Sequence, residues 1–154
     1  MTPRLQDEIK QRKPFASLEE EVYLNLQRTA DALARRVAAA LKPHGLSLTQ
    51  YNVLRILRGA GNAGLACGEI GERMITRDPD VTRLLDRLEK RGLLQRVRDS
   101  RDRRVVMARI LRPGLELLDA LDAALAHLQK TSLKGLKQEE LRNLSELLER
   151  ARGG

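Results

Sequence analysis

Apolar residues recur with a helical period in six stretches of the chain and alternate in one. The longest stretch runs through Leu18, Val22, Leu26, Ala30, Leu33, Val37 and Leu41, one stripe of a helix reaching about Lys42. Ser17-Leu18-Glu19-Glu20 opens it as a capping box, each end taking the other's backbone N–H. Pro43 and Gly45 end it. At roughly 24 residues it is about twice the usual length, so part of it is expected to pack outside a compact core. Ser47-Leu48-Thr49-Gln50 is a second capping box, and the helix after it carries Tyr51, Leu54 and Leu57 to about Arg58. A short helix from about Ala66 to Met74 groups Cys67, Ile70, Gly71 and Met74 on one face. Residues 1–16 are polar, carry two prolines and are expected to form a flexible or loosely docked arm.

The next helix has the sharpest division. Val81, Leu84, Leu85 and Leu88 share one face, while Asp80, Thr82, Arg83, Asp86, Arg87 and Lys90 take the other. Pro79 suits a first helical position, which makes Asp78 the expected N-cap, and Gly92 is a good stop. A tight turn at Thr76-Arg77 separates this helix from the short one before it. Two helices joined by about four residues, the second one basic, form a helix-turn-helix pattern. Leu93 to Arg98 and Arg103 to Leu111 then flank Asp99-Ser100-Arg101-Asp102. Val106, Ala108 and Ile110 alternate with Val105, Met107 and Arg109, the period of a β-hairpin with a basic tip. After it, a leucine-rich helix from Pro113 to about Ser132 and a last one from about Lys137 to Arg150 complete the chain. The terminal helices carry more apolar stripe than a small core can cover, and are expected to cover each other and their copies in a second subunit.

Charge sharpens this picture. The chain carries +8, and residues 73–104 hold eleven basic side chains against six acidic ones, a surplus of five. Residues 113–151 hold five against seven. A basic segment beside a near-neutral remainder is the footprint of a polyanion. Aromatic residues are only Phe15, Tyr23 and Tyr51, too few and too scattered to stack single-stranded bases, which favours duplex DNA. A helix with outward arginines fits a major groove, and the hairpin beside it reaches the next groove. Cys67 is the single cysteine, which suits a reducing compartment. The N-terminus has no apolar signal core and no stretch is apolar enough to span a bilayer. A soluble, cytoplasmic protein is expected.

Other chemistry is weakly signalled. Gly59 to Gly64 spells G-x-G-x-x-G, but it follows helical rather than strand spacing, so an interhelix loop is expected instead of a dinucleotide cradle. Cys67 shares an apolar face with Ile70 and Met74, the pattern of a core residue. His44 and His127 have no metal-ligand spacing, and no nucleophile–base arrangement is evident. No enzyme, metal or cofactor is expected.

The order of elements, with Val81-Thr82-Arg83-Leu84-Leu85-Asp86-Arg87-Leu88-Glu89-Lys90-Arg91-Gly92-Leu93 and the wing sequence Asp102-Arg103-Arg104, resembles the MarR family of bacterial transcriptional regulators. The similarity covers roughly residues 17–151. It implies a mainly α fold with a small β-hairpin wing. Residues 47–112 would form the winged helix-turn-helix, and residues 17–46 and 113–154 the helical dimerisation region. The implied function is that of a homodimeric regulator, usually a repressor, on a pseudo-palindromic operator in double-stranded DNA, often released by a small-molecule effector. By position, Thr82, Arg83 and Arg87 would enter the major groove and Arg104 the minor groove, held by Asp102. Arg77, Arg101 and Arg103 complete the expected DNA-binding set, and Tyr51 and Leu54 lie where an effector would sit. The chain departs from the family's pattern at Arg112, where a Thr is usual, and at Asp78-Pro79-Asp80, where small hydroxyl residues are common. The alternative is a helical protein-interaction module with incidental basic charge.

Overall fold

The computed structural model describes residues 4–153. Its elements are α1 (Leu5–Glu8), α2 (Leu18–Leu41), α3 (Leu48–Ala60), β1 (Leu65–Ala66), α4 (Cys67–Arg73), α5 (Val81–Lys90), β2 (Leu94–Arg98), β3 (Val106–Ile110), α6 (Arg112–Ser132) and α7 (Gln138–Gly153). The architecture is mainly helical, with one small antiparallel sheet in the order β1-β3-β2. In the hairpin Leu94 pairs with Ile110, Arg96 with Ala108 and Arg98 with Val106.

Local chemistry starts most of the helices where the sequence places them. Ser47 Oγ accepts the Gln50 N–H at 3.1 Å and Gln50 Oε1 accepts the Ser47 N–H at 3.0 Å, a complete capping box. At α2 the expected box is shifted. Ser17 Oγ accepts from Glu20 N, but the Glu20 carboxylate takes the N–H of Ala16, one residue earlier than expected. The helix still gains both bonds. Gly45, with φ 66°, closes the 3-10 turn that follows α2.

In the N-terminal arm, among the described residues, α1 buries Leu5, and Glu8 accepts from Arg28 of α2 at 3.2 Å, so one apolar anchor and one ion pair hold this single turn. Residues 1–3 of that arm lie outside the described residues. Two expectations need correction. Ala66 is not helical but pairs in β1, where Leu65 and Ala66 lie opposite Ala108 and Met107. A two-residue strand has no periodicity to detect; the β3 backbone recruits it. The link between α4 and α5 spans residues 74–80, longer than four, because α5 begins only at Val81.

The G-x-G-x-x-G stretch serves this pairing. Gly59 lies inside α3, and Gly61 and Gly64 take φ 67° and 72°. A Cβ at Gly64 would stand 2.4 Å from the Ala108 carbonyl oxygen, so only glycine lets the chain turn and lie on β3. The motif works as a turn into a strand, with no βαβ unit around it.

The core joins Leu41 of α2, Val53, Leu54 and Leu57 of α3, Ile70 of α4, Leu85 and Leu88 of α5, Leu94 of β2 and Leu118 of α6. Each fully buried leucine contributes about 1.5–3 kcal/mol. Arg58 of α3 grips Asp122 of α6 through two hydrogen bonds of 2.9 and 3.0 Å, fixing the α3–α6 contact. That hydrogen bonding holds the Asp122 carboxyl below its usual range. By contrast, α7 buries none of its residues. Between it and the start of α2 lies an apolar groove of about 650 Å³, lined by Leu18, Val22, Tyr23, Leu26, Leu148 and Ala151. Among the described residues no helix is long and apolar enough to cross a membrane.

Candidate nucleic-acid interface

Asp80, not Asp78, caps α5: its carboxylate accepts the Arg83 N–H at 3.0 Å. Asp78 instead accepts the Asp80 N–H at 2.8 Å, which curls the chain through Pro79 before the helix starts. Pro79 thus belongs to the turn and is not the first helical residue, because the carboxylate two residues later reaches the free N–H groups. The turn is also tied to α3, where Asn52 Oδ1 accepts the Ile75 N–H at 2.8 Å.

The burial of α5 follows its sequence pattern. Leu84, Leu85 and Leu88 are buried, while Thr82, Arg83, Arg87 and Lys90 are exposed. Arg83 and Arg87 make no ion pair among the described residues, so both guanidinium groups are available to an anion. At the far end, the Arg91 guanidinium donates to the carbonyls of Gly45 at 2.9 Å and His44 at 3.0 Å. This arginine anchors the helix to the turn after α2.

The wing tip is a compact turn. Asp99 N–H donates to the Val105 carbonyl and Val105 N–H to the Asp102 carbonyl. Asp102 Oδ1 accepts the Arg104 N–H at 3.0 Å and its Nε at 3.3 Å. The Arg104 side chain remains 91% exposed, so the contact orients it without burying it. Arg98 braces the tip by donating to the Arg103 carbonyl at 2.8 Å. Arg77, Arg101 and Arg103 are exposed.

Arg96 behaves differently from the other basic residues of this segment. Its side chain is only 23% exposed. It reaches from β2 to α5, where its guanidinium donates to Glu89 and Asp86 and its backbone N–H donates to Glu89 at 2.6 Å. Burial opposes the charge on Arg96, but the two carboxylates outweigh it and hold the guanidinium above its usual value. The Arg96 backbone N–H and then its side chain hold the Glu89 carboxyl below its usual range. Composition counts Arg91 and Arg96 with the basic footprint; folding ties the first to backbone carbonyls and pairs the second with two carboxylates. The one local signal for the second was the pair Asp86 and Glu89, a turn apart on α5.

Tyr51 and Leu54 are divided by the fold. Leu54 is completely buried, whereas Tyr51 is half-buried at the edge of the core. Neither lines the cleft of about 590 Å³ between α2, α3 and α5, which borders Lys42, Ser47, Gln50, Asp78 and Arg87. Cys67 packs against the core, and burial pushes its thiol above the usual value.

An α4–turn–α5 unit backed by a three-stranded wing, with exposed arginines on α5 and at the hairpin tip, defines a winged helix-turn-helix, the DNA-binding fold of a transcription regulator. Residues 46–106 match the model of the MarR family. The chain is 34% identical over 110 residues to the uncharacterized HTH-type transcriptional regulator YkoM of Bacillus subtilis, covering 71% of this chain and 70% of that one. It is 38% identical to a MarR transcription factor from Planctomyces limnophilus, covering 88% and 98% of the two chains with a TM-score of 0.68. It shares its fold, at 22% identity and a TM-score of 0.76, with BpsR of Bordetella bronchiseptica, over 86% of this chain and 99% of that one. The DNA binding of BpsR is regulated by 6-hydroxynicotinic acid. The chain belongs to the MarR family, whose members are transcriptional regulators and not enzymes.

Proposed function

We propose that the chain acts as a homodimer that binds a pseudo-palindromic operator in double-stranded DNA and represses transcription there until a small molecule releases it. The observation that carries this reading is the division of α5. Its leucine face is closed into the core, and its opposite face offers Thr82, Arg83 and Arg87 beside a wing that offers Arg104. In this reading Arg83 and Arg87 contact base edges and phosphates in the major groove, with Thr82 beside them. Arg104, oriented by Asp102, enters the adjacent minor groove. Arg77, Arg101 and Arg103 supply phosphate contacts.

Residues 47–112 form the DNA-binding unit, and residues 17–46 and 113–154 the dimerisation region. The exposed Leu18, Val22 and Tyr23, which share a groove with Leu148 and Ala151, and the exposed Leu144 and Leu147 support the second assignment, since exposed apolar surface on terminal helices marks an interaction surface. A two-fold dimer places its two α5 helices on half-sites about one turn of DNA, roughly 34 Å, apart. The regulation of BpsR by 6-hydroxynicotinic acid supports the small-molecule step. Tyr51, at the core's edge, is the residue of the expected pair that such a ligand reaches first; Leu54 takes part only if the core opens.

The test is a fluorescence-anisotropy titration of the full chain against its own upstream DNA and a scrambled duplex over a range of salt. Tight binding to the first duplex alone, lost in Arg87→Ala, is expected. Equal, strongly salt-dependent affinity for both would reduce the reading to nonspecific charge. No binding to either would overturn it.

A further inference from the structure

We propose that Arg96 is a positioning residue that locks the wing to α5, so that the wing arginine and the helix arginines engage one stretch of DNA together. The proposal rests on the DNA-binding reading above. Between α5 and β2 the chain has only Arg91, Gly92 and Leu93, and Gly92 sits at φ 71°, so the covalent link by itself is a short hinge. Arg96 lies just past that hinge. Glu89 receives three hydrogen bonds from it: the backbone N–H at 2.6 Å, Nε at 3.2 Å and Nη2 at 3.0 Å. Asp86, one turn earlier on α5, accepts from the same Nη2. The planar guanidinium therefore spans two carboxylates on one helix while its own backbone is tied to one of them. Such a fork fixes direction as well as distance, unlike the single point charge of a lysine.

The position of this clamp gives it its effect. On β2, Arg96 pairs with Ala108 of β3, which is fully buried, so β2 cannot rotate at this point without moving the whole hairpin. Arg104 stands in the tip, past the ends of both strands, where a small rotation at the base becomes a large displacement. The carboxylates belong to the same helix that presents Arg83 and Arg87. Holding Asp86 and Glu89 therefore sets the wing directly against the element it must work with. An exposed ion pair would contribute little. This one is partly buried, multiply bonded and placed across a hinge.

The test is a double-mutant cycle read by anisotropy on the operator duplex, with hydrogen exchange on the DNA-free protein. In the wild-type chain Arg104→Ala is expected to weaken specific binding about tenfold, the size of one lost readout contact. In the Arg96→Gln background the same change should cost less than about twofold, while Arg87→Ala still costs about tenfold in both backgrounds. A merely structural arginine would weaken all contacts alike. In exchange, amides of residues 97–106 should open about tenfold faster in Arg96→Gln, with α6 unchanged. Arg96→Lys keeps the charge without the fork; it serves where Arg96→Gln fails to fold, with the same loss of the Arg104 contribution expected. An undiminished Arg104 cost in the Arg96 variants, or unchanged wing exchange, overturns the proposal. If the wild-type chain ignores DNA sequence, the DNA reading fails. The exchange experiment then decides the clamp alone: a faster wing upholds it and an unchanged one removes it.

Discussion

Helices α5 and α7 are both strongly amphipathic, yet only one of them is finished within the chain. Leu84, Leu85 and Leu88 of α5 are buried, and Thr82, Arg83, Arg87 and Lys90 on its polar face are left open to solvent. Leu144 and Leu147 of α7 find no such cover, at 38% and 56% exposed, and no residue of the helix is fully buried. The same sequence pattern thus has two outcomes. In α5 the apolar stripe marks what the chain itself covers, and the exposed arginines are what remains for a ligand. In α7 the apolar stripe is itself the exposed feature, and it matches a second apolar surface better than it matches water.

The comparison can be broken most forcefully at α5. Leu88→Ala should cost about 2–5 kcal/mol of unfolding free energy, measured by urea denaturation, because a fully buried leucine leaves a cavity. A loss under about 1 kcal/mol would mean that the inner face of α5 is not packed as described. At α7 the expectation reverses. The double change Leu144→Asp and Leu147→Asp should weaken self-association at least about a hundredfold, roughly 2.7 kcal/mol, by sedimentation equilibrium. An unaltered dimer would remove α7 from the interface.

The outer face of α5 gives the third test. Arg87→Ala should lose about 1–3 kcal/mol of specific DNA binding, with unfolding free energy unchanged within about 0.5 kcal/mol. A melting shift as large as the binding loss would make Arg87 a structural residue. The smallest effect belongs to pH. Glu89 and Asp122 have carboxyls held below their usual range by Arg96 and Arg58. Their contribution is complete above the ordinary carboxylate range and disappears as pH falls through their lowered values, since the unfolded chain then takes up protons first. Asp122→Asn should flatten the acid limb of the stability profile, by less than about 1 kcal/mol because the pair is solvent-screened. An acid limb identical to wild type would show that the Arg58–Asp122 bridge contributes nothing to folding.

Much of the architecture is local and was therefore legible. The stripes of α2, α5 and α6, the capping residues Ser17 and Ser47, and the alternation from Val106 to Ile110 each report on neighbours within a few positions. The outward arginines of α5 follow from the same periodicity. The start of α5 was less legible because Asp78 and Asp80 are both competent caps, and only the folded turn shows which one meets the helix N–H groups.

The sequence by itself determined the helical segments, the hairpin and the local surplus of positive charge, since periodicity, capping and charge all act over short range. Tertiary structure alone decided which of those charges are tied up and which stay outward. It drew Arg91 onto the His44 and Gly45 carbonyls and Arg96 onto Asp86 and Glu89, and left Arg83, Arg87 and Arg104 outward. It also recruited Leu65 and Ala66 to β3 and left Leu144 and Leu147 of α7 exposed. The physical reason is the same in each case. A guanidinium, a strand edge or an apolar stripe carries its chemistry in the sequence, but its partner lies many residues away and is set only when the chain closes on itself.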